Sequence, residues 1–209
     1  MNEQKILFIS DYSKWSQSAY QYIQSVFRNT DNVFYERGDA PSDTLQTWQG
    51  DWIISFKSEL LLPQVFLKKA RLGAINFHPS PPKYRGIGGY ILALRNADTQ
   101  FGVTCHYMNN TIDSGQIIKT SYFDIGKDDS LLTLYHKTAL HCLKLLFDIV
   151  EHIYFEIPFP KSSENWGKQL YKYADFKNEL EILKSVETKE SKYADVAISY
   201  QLSKQSNKK

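Results

Sequence analysis

Three short apolar runs limit what this chain can become. KILFIS at 5–10, DWIISF at 51–56 and AINFHP at 74–79 read as strands. Runs this continuous fit strands covered on both faces, as in a parallel sheet between helices. The segments between them agree. Trp15, Ala19, Tyr22, Ile23 and Val26 fall at i, i+4, i+7, i+8 and i+11, the period of an amphipathic helix. NVFYE at 32–36 reads as another strand, and PQVFLKKAR at 63–71 opens on a proline, which the first turn of a helix accepts. A helix around GYILALRNA follows.

FGVTCHYM at 101–108 then alternates, with Val103, Cys105 and Tyr107 on one face and Thr104, His106 and Met108 on the other. The turn NNTIDSG leads into a further strand, QIIKTSYFDI, and DDS caps a long apolar helix from Leu131 to Phe155. Strands alternating with helices, then two adjacent strands, predict an α/β fold. Its sheet is mostly parallel, flanked by helices and antiparallel late in the chain. The expected catalytic domain is 1–157, with a short extension packed on it at 158–187. QLYKYADFKNELEIL in that extension reads as a short strand and helix, and 188–209 is a polar, partly disordered tail.

Composition removes several function classes. Of 209 residues, 42% are hydrophobic and 14% aromatic, enough to bury a core without staples. A net charge of +2 from 25 basic and 23 acidic residues does not advertise a nucleic-acid or membrane partner. Cys105 and Cys142 have no metal-ligand spacing and read as buried free thiols. No run approaches the length of a membrane span, and MNEQKILFIS lacks a long apolar stretch. The expectation is a soluble cytoplasmic protein.

In a parallel sheet, ligands bind beyond the carboxyl ends of the strands. Ser55–Ser58 ends one such strand, Asn76 and His78 end the next, and Asp113 follows in the TIDSG turn. Two residues apart on an extended chain, Asn76 and His78 project from one face. An amide N–H can stabilise a developing oxyanion. An imidazole can move a proton near neutral pH, and a carboxylate such as Asp113 could orient it. These are parts of an acyl-transfer site without a covalent nucleophile. The competing reading is loop hydrogen bonding at a strand end. His106 reads as a core residue or a supporting one, while His136, His141 and His152 lie on the long helix and form no metal pair. RGIGG has the wrong context for a dinucleotide fingerprint, and the four tryptophans read as packing residues.

NFHPSPPKYRG followed by FGVTCHYMNNTIDSGQII resembles the formyltransferases that use N10-formyltetrahydrofolate. Both motifs stand in order, firmly over 50–130. The resemblance implies a Rossmann-like formyltransferase fold and a catalytic trio of Asn76, His78 and Asp113. It also implies a pterin held by main-chain groups near Leu60, Leu61 and Leu62 and near Thr111, Ile112 and Asp113, with no metal. HPSPPKYRGIGG, SFKSELLLP and YKYADF look most like the sugar-nucleotide N-formyltransferases. These act on an amino-dideoxy sugar, carried on dTDP or GDP, for bacterial surface polysaccharide such as O-antigen. That reading places Lys57, Lys83, Tyr84, Arg85, Trp166 and Tyr171 near sugar or nucleotide, and a homodimer is expected.

Three alternatives remain. A glycinamide ribonucleotide formyltransferase would carry a glycine-rich phosphate loop after the first strand, where this chain reads SDYSKWSQSAY. GDP-perosamine is an alternative acceptor. A non-catalytic folate- or nucleotide-binding module would keep the fold without the chemistry. A methionyl-tRNA formyltransferase is expected to add a C-terminal domain and a basic tRNA surface, neither of which is read here.

Overall fold

A computed structural model of the chain describes residues 2–178. In order, it contains β1 (Asn2–Ser10), α1 (Lys14–Val26), β2 (Phe27–Phe34), α2 (Thr44–Thr47), β3 (Gly50–Phe56), α3 (Gln64–Leu67) and β4 (Ala70–His78). There follow β5 (Arg85–Gly86), α4 (Gly89–Arg95), β6 (Gln100–Tyr107), β7 (Ile117–Asp124), α5 (Leu131–Tyr154) and β8 (Leu170–Tyr171). Six strands form one sheet in the order β2-β1-β3-β4-β6-β7, and β5 pairs with β8 in a second, two-stranded one. β1 to β4 are parallel; β6 runs antiparallel to β4, and β7 to β6. The α/β class with a mostly parallel sheet is therefore the one expected.

Side-chain alternation sorts the residues into layers. Ile6, Phe8, Ile54, Phe56, Ile75, Phe77, Val103 and Cys105 face one side and pack on Ala19 and Ile23 of α1 and on Cys142, Leu145, Leu146 and Ile149 of α5. Leu7, Ile9, Ile53 and Ala74 face the other, where Trp48, Leu62, Phe66 and Leu67 cover them. Both faces are dry, which is why the strand runs read as continuously apolar. The two covers differ. One is a pair of long helices; the other is single-turn helices and loops. The thin cover lies on the face that carries Asn76 and His78.

α5 begins as DDS suggested. Ser130 Oγ accepts from Thr133 N at 3.2 Å, and Thr133 Oγ1 accepts from Ser130 N at 2.8 Å, a capping box. Both cysteines are buried and unpaired. Burial pushes the Cys142 thiol up to about 12, so it is not a nucleophile.

Some boundaries differ from those read in the sequence. β2 starts at Phe27, immediately after α1, and not at 32. It is an edge strand of the sheet, and its polar residues 28–32 carry no apolar signal. The helix expected over 63–71 is only Gln64–Leu67, because Ala70 already pairs with Gly50 in the sheet. α2 gave no periodic signal at four residues. In the expected extension, Leu170–Tyr171 is a strand and 173–178 is helical, with Phe176 packed near Ile91 and Leu131. The remainder, 179–187, and the 188–209 tail lie outside the described residues.

β5 and β8 register Arg85 with Leu170 and Gly86 with Tyr171. Gly86 has φ +89°, and a Cβ there would collide with the Tyr171 carbonyl, so the pairing needs glycine. Among the described residues, no helix is long and apolar enough to cross a membrane.

Leu146 is fully buried between α5 and the sheet. Leu146→Ala is expected to cost about 2–5 kcal/mol, read as a lower urea midpoint with an unchanged slope.

Candidate active site

The site begins with strand alternation. Ile75 and Phe77 turn toward α5, so Asn76 and His78 turn away from it. The register sets Ser55 of β3 and His106 of β6 on either side of Asn76, and Thr104 beside His78. Five polar side chains thus share one patch of an otherwise apolar sheet, at the carboxyl ends of β3 and β4. Thr104 Oγ1 donates to the Ser80 carbonyl at 2.8 Å and holds the proline loop against it.

The turn after β6 carries Asp113 back over this patch. Asn109 Oδ1 accepts from Thr111 N and Ser114 Oγ, both at 2.9 Å, which closes the turn. Asp113 itself sits at φ +43°, a left-handed conformation that aspartate tolerates better than most residues. At Gly115 a Cβ would collide with the Tyr107 carbonyl. Arg85 staples the turn from the opposite side. Its Nε donates to the Asp113 carbonyl at 2.7 Å and its Nη2 to the Ile112 carbonyl at 2.9 Å.

The Asp113 carboxylate is buried and shared. Oδ2 accepts from Gly86 N at 2.8 Å and lies 3.4 Å from His78 Nδ1; Oδ1 lies 3.3 Å from His106 Nε2. Each imidazole has its other nitrogen committed to a carbonyl, which can only accept. His78 Nε2–H donates to Tyr84 O at 2.9 Å and His106 Nδ1–H to Tyr107 O at 2.8 Å. The nitrogens that can gain or lose a proton are therefore the two facing Asp113. Burial by itself would raise the Asp113 carboxyl. The charge of His78, the hydrogen bond from His106 and the Gly86 N–H outweigh it and hold it at about 2.

Asn76 joins this network through Nδ2, 3.1 Å from His106 Nε2. Its Oδ1 is buried with no hydrogen-bond partner. An unmatched buried acceptor is uncommon, and such groups concentrate where a ligand or reaction uses them. Trp166 lies against both imidazoles, edge-on to His106 at 4.9 Å and 5.9 Å from His78, with Nε1 donating to Gly115 O at 2.7 Å. Among the described residues, no group of three or more His, Cys, Asp or Glu side chains could hold a metal ion.

The structure brings Asn76, His78 and Asp113 together with His106. It places Trp166 on the same patch and Tyr171 one layer further out, 6.2 Å from Tyr84. Leu60 and Leu62 pack on the Leu7–Ile53 cluster together with Met108, while Leu61 is 69% exposed. Thr111 and Ile112 lie on the outer side of the Asp113 turn, both exposed. The cations expected near phosphate are engaged inside the chain. Lys57 pairs with Asp11 at 3.2 Å, Lys83 with Asp98 at 2.8 Å, and Arg85 with the carbonyls above. Tyr84 is buried, its hydroxyl bonded to Asp98. On α5, His141 stacks on Phe123, His136 meets Trp15, and His152 donates to Pro158 O.

Sequence reasoning underrated His106. Alternation put it on the face of Thr104 and Met108, but only the antiparallel register sets it opposite Asn76. It also missed Arg85 as a staple, because its charge drew the reading toward phosphate.

Comparison with known proteins finds formyltransferases by sequence and a shared fold among solved structures. Methionyl-tRNA formyltransferase of Francisella tularensis subsp. novicida is 33% identical over 131 residues, 62% of this chain and 42% of that protein. GDP-perosamine N-formyltransferase of Brucella melitensis biotype 1 is 29% identical over 118 residues, 56% of this chain and 43% of that protein. The chain spans less than half the length of these relatives. The solved N-formyltransferase of Helicobacter canadensis, in complex with folinic acid and dTDP-3-aminofucose, shares the fold. Its TM-score is 0.67 at 18% identity, over 82% of this chain and 72% of that one. Residues 9–150 match the formyl transferase family, a span that contains Asn76, His78, His106 and Asp113. The chain belongs to that family.

Proposed function

We propose that this protein moves the formyl group of N10-formyltetrahydrofolate to the amine of a nucleotide-linked amino-dideoxy sugar. A dTDP-linked 4-amino-4,6-dideoxy sugar destined for surface polysaccharide is the favoured acceptor. One observation carries the chemistry: a buried carboxylate held between two imidazoles, beside an amide whose oxygen has no partner. The acceptor class rests on the company the chain keeps, the Brucella relative and the Helicobacter fold neighbour with its bound dTDP-3-aminofucose.

The residues present fit a folate. Leu60 and Leu62 share a cluster with Met108, so the segment after β3 and the turn after β6 border the same ground. Leu61, beside Leu60 and Leu62, and Ile112, in the turn after Met108, are exposed apolar side chains, 69% and 39% accessible. A pterin held near these two segments would meet apolar side chains and main-chain groups. When bound, the folate supplies the formyl carbon that the amine attacks.

The chain's own groups do the rest. Asn76 Nδ2 carries two protons; when His106 Nε2 is unprotonated it accepts one of them, and the other can meet the oxygen that gains charge as the carbonyl becomes tetrahedral. His106 holds the amide for that role. One proton must pass from the attacking amine to the departing nitrogen. His78, with Asp113 at 3.4 Å, is the pair that can hold it in between.

Incubation with N10-formyltetrahydrofolate and a panel of acceptors tests the reading. Turnover is expected with an amino-sugar nucleotide. Turnover of glycinamide ribonucleotide alone would overturn it, and turnover of GDP-perosamine alone would move the carrier to GDP. Asn76→Ala is expected to lower kcat by about 10²–10³ while the melting temperature barely moves. A large loss of stability would make Asn76 structural. The Asp113 carboxyl sits at about 2 folded and near ~3.9 unfolded. Its stabilisation is complete above the unfolded value and lost as pH falls toward the folded one. Thermal melts of wild type should therefore fall more steeply below about pH 4 than those of Asp113→Asn.

A further inference from the structure

One nitrogen of the site has two neighbours with opposite demands. His106 Nε2 lies 3.3 Å from Asp113 Oδ1 and 3.1 Å from Asn76 Nδ2. A carboxylate oxygen only accepts, so it calls for a proton on Nε2. An amide Nδ2–H only donates, so it calls for the lone pair there. The ring cannot escape the conflict by turning. Its side chain is 3% exposed, Nδ1–H is committed to Tyr107 O at 2.8 Å, and Trp166 stands edge-on at 4.9 Å. Two things are left that can change: the proton on Nε2 and the direction of the Asn76 amide.

The amide has little else to hold it. Asn76 Oδ1 is buried with no hydrogen-bond partner. Among the described residues, the contact with His106 is therefore what tells the two ends of the amide apart. With Nε2 unprotonated, Nδ2–H donates to it and the oxygen keeps its buried place. With Nε2 protonated, an N–H would face an N–H. The new proton meets Asp113, the bond from Nδ2 is lost, and a half-turn about the last side-chain bond brings Oδ1 to His106 instead.

Charge in the site leads to the same choice. The charged or titratable groups around His106 come from three elements. Asp113 belongs to the turn after β6, and His78 of β4 meets its other carboxylate oxygen. Arg85 of β5 bonds the carbonyls of that turn. One carboxylate balances one imidazolium, and a second would be a buried charge without a counter-ion beside a guanidinium. A proton on His78 thus goes with an unprotonated Nε2 on His106.

We propose that His106 is a positioning residue whose protonation sets the direction of the Asn76 amide. Neutral, it holds Nδ2 as the donor; protonated, it releases Nδ2 and draws Oδ1 into its place. This role deepens the formyl-transfer reading and rests on it for its meaning, because an amide oxygen turned toward a developing oxyanion would repel it. In the competent state His78 carries the proton, so the oxyanion donor and the proton carrier are set together by one charge.

Nitrogen NMR of the isotopically labelled free protein tests the proposal. No formyl donor or acceptor is present, so this result and that of the acceptor panel are independent. Asn76 and His106 are assigned by through-bond correlation to their backbones. With Nε2 unprotonated, a scalar coupling across the N–H···N bond should join Asn76 Nδ2 to His106 Nε2. As pH falls from about 8 to about 5, Nε2 should take up its proton and the coupling should vanish. The Asn76 amide resonances should shift with the same midpoint. In His106→Gln, which has no titrating group at this position, that shift should be lost. An Asn76 amide that stays fixed while Nε2 titrates would overturn the proposal. So would a coupling that survives protonation, a His106 that keeps one protonation state over this range, or an undiminished Asn76 shift in His106→Gln. If His106→Gln fails to fold, the coupling in wild type still decides it.

Discussion

A buried carboxylate must find its charge and hydrogen bonds inside the protein, and Asp113 finds them on three separate pieces of chain. His78 ends β4, His106 lies in β6, and Gly86 belongs to β5. An unpaired charge at this depth would cost several kcal/mol. Each piece is therefore held where it is by the need to satisfy one side chain. The remaining features of the site follow. Arg85 grips the main chain of the Asp113 turn because that turn must not drift. Tyr84 O and Tyr107 O fix the two imidazoles because each ring must present its other nitrogen to the same carboxylate. Asn76 reaches the network only through His106.

Much of the fold was legible because burial on both faces leaves a plain mark. KILFIS and DWIISF are apolar through their centres since helices lie on one side and loops on the other. β2 left no such mark over most of its length, as an edge strand has solvent to satisfy its polar residues. α2 and α3 are single turns, too short for a period to show. In the candidate site, the shared face of Asn76 and His78 was readable from their spacing along one strand, which is local information. His106 was not, because its partnership depends on which residue of β6 lies opposite which residue of β4. Register is a property of two strands and of the loop joining them.

Charge was the least reliable guide. Lys57, Lys83 and Arg85 were read as cations that would face a ligand, yet each is engaged by a partner within the chain. A residue type states how much charge there is and says nothing about where it points. Lys83 is 58% exposed, and its bond to Asp98 adds little to stability. Lys57 is buried, so its pairing with Asp11 is obligatory. The two lysines look alike in the sequence and have opposite constraints in the fold.

The pairing of β5 with β8 sets an order of events. Arg85 and Gly86 lie in the loop that supplies the backbone donor and the staple of Asp113, and their strand partners are Leu170 and Tyr171, far along the chain. The strand pairings of the sheet from β1 to β7 all join residues nearer in sequence than this one does, and Leu170 and Tyr171 follow every element of that sheet and of α5 in the chain. In chain order, the strands and helices of the core thus precede the segment that clamps the loop beside Asp113. A chain stopped short of Leu170 would keep its sheet and lose the clamp on the proline loop. The candidate site is thus completed, in chain order, by a segment that contributes only two residues to a strand.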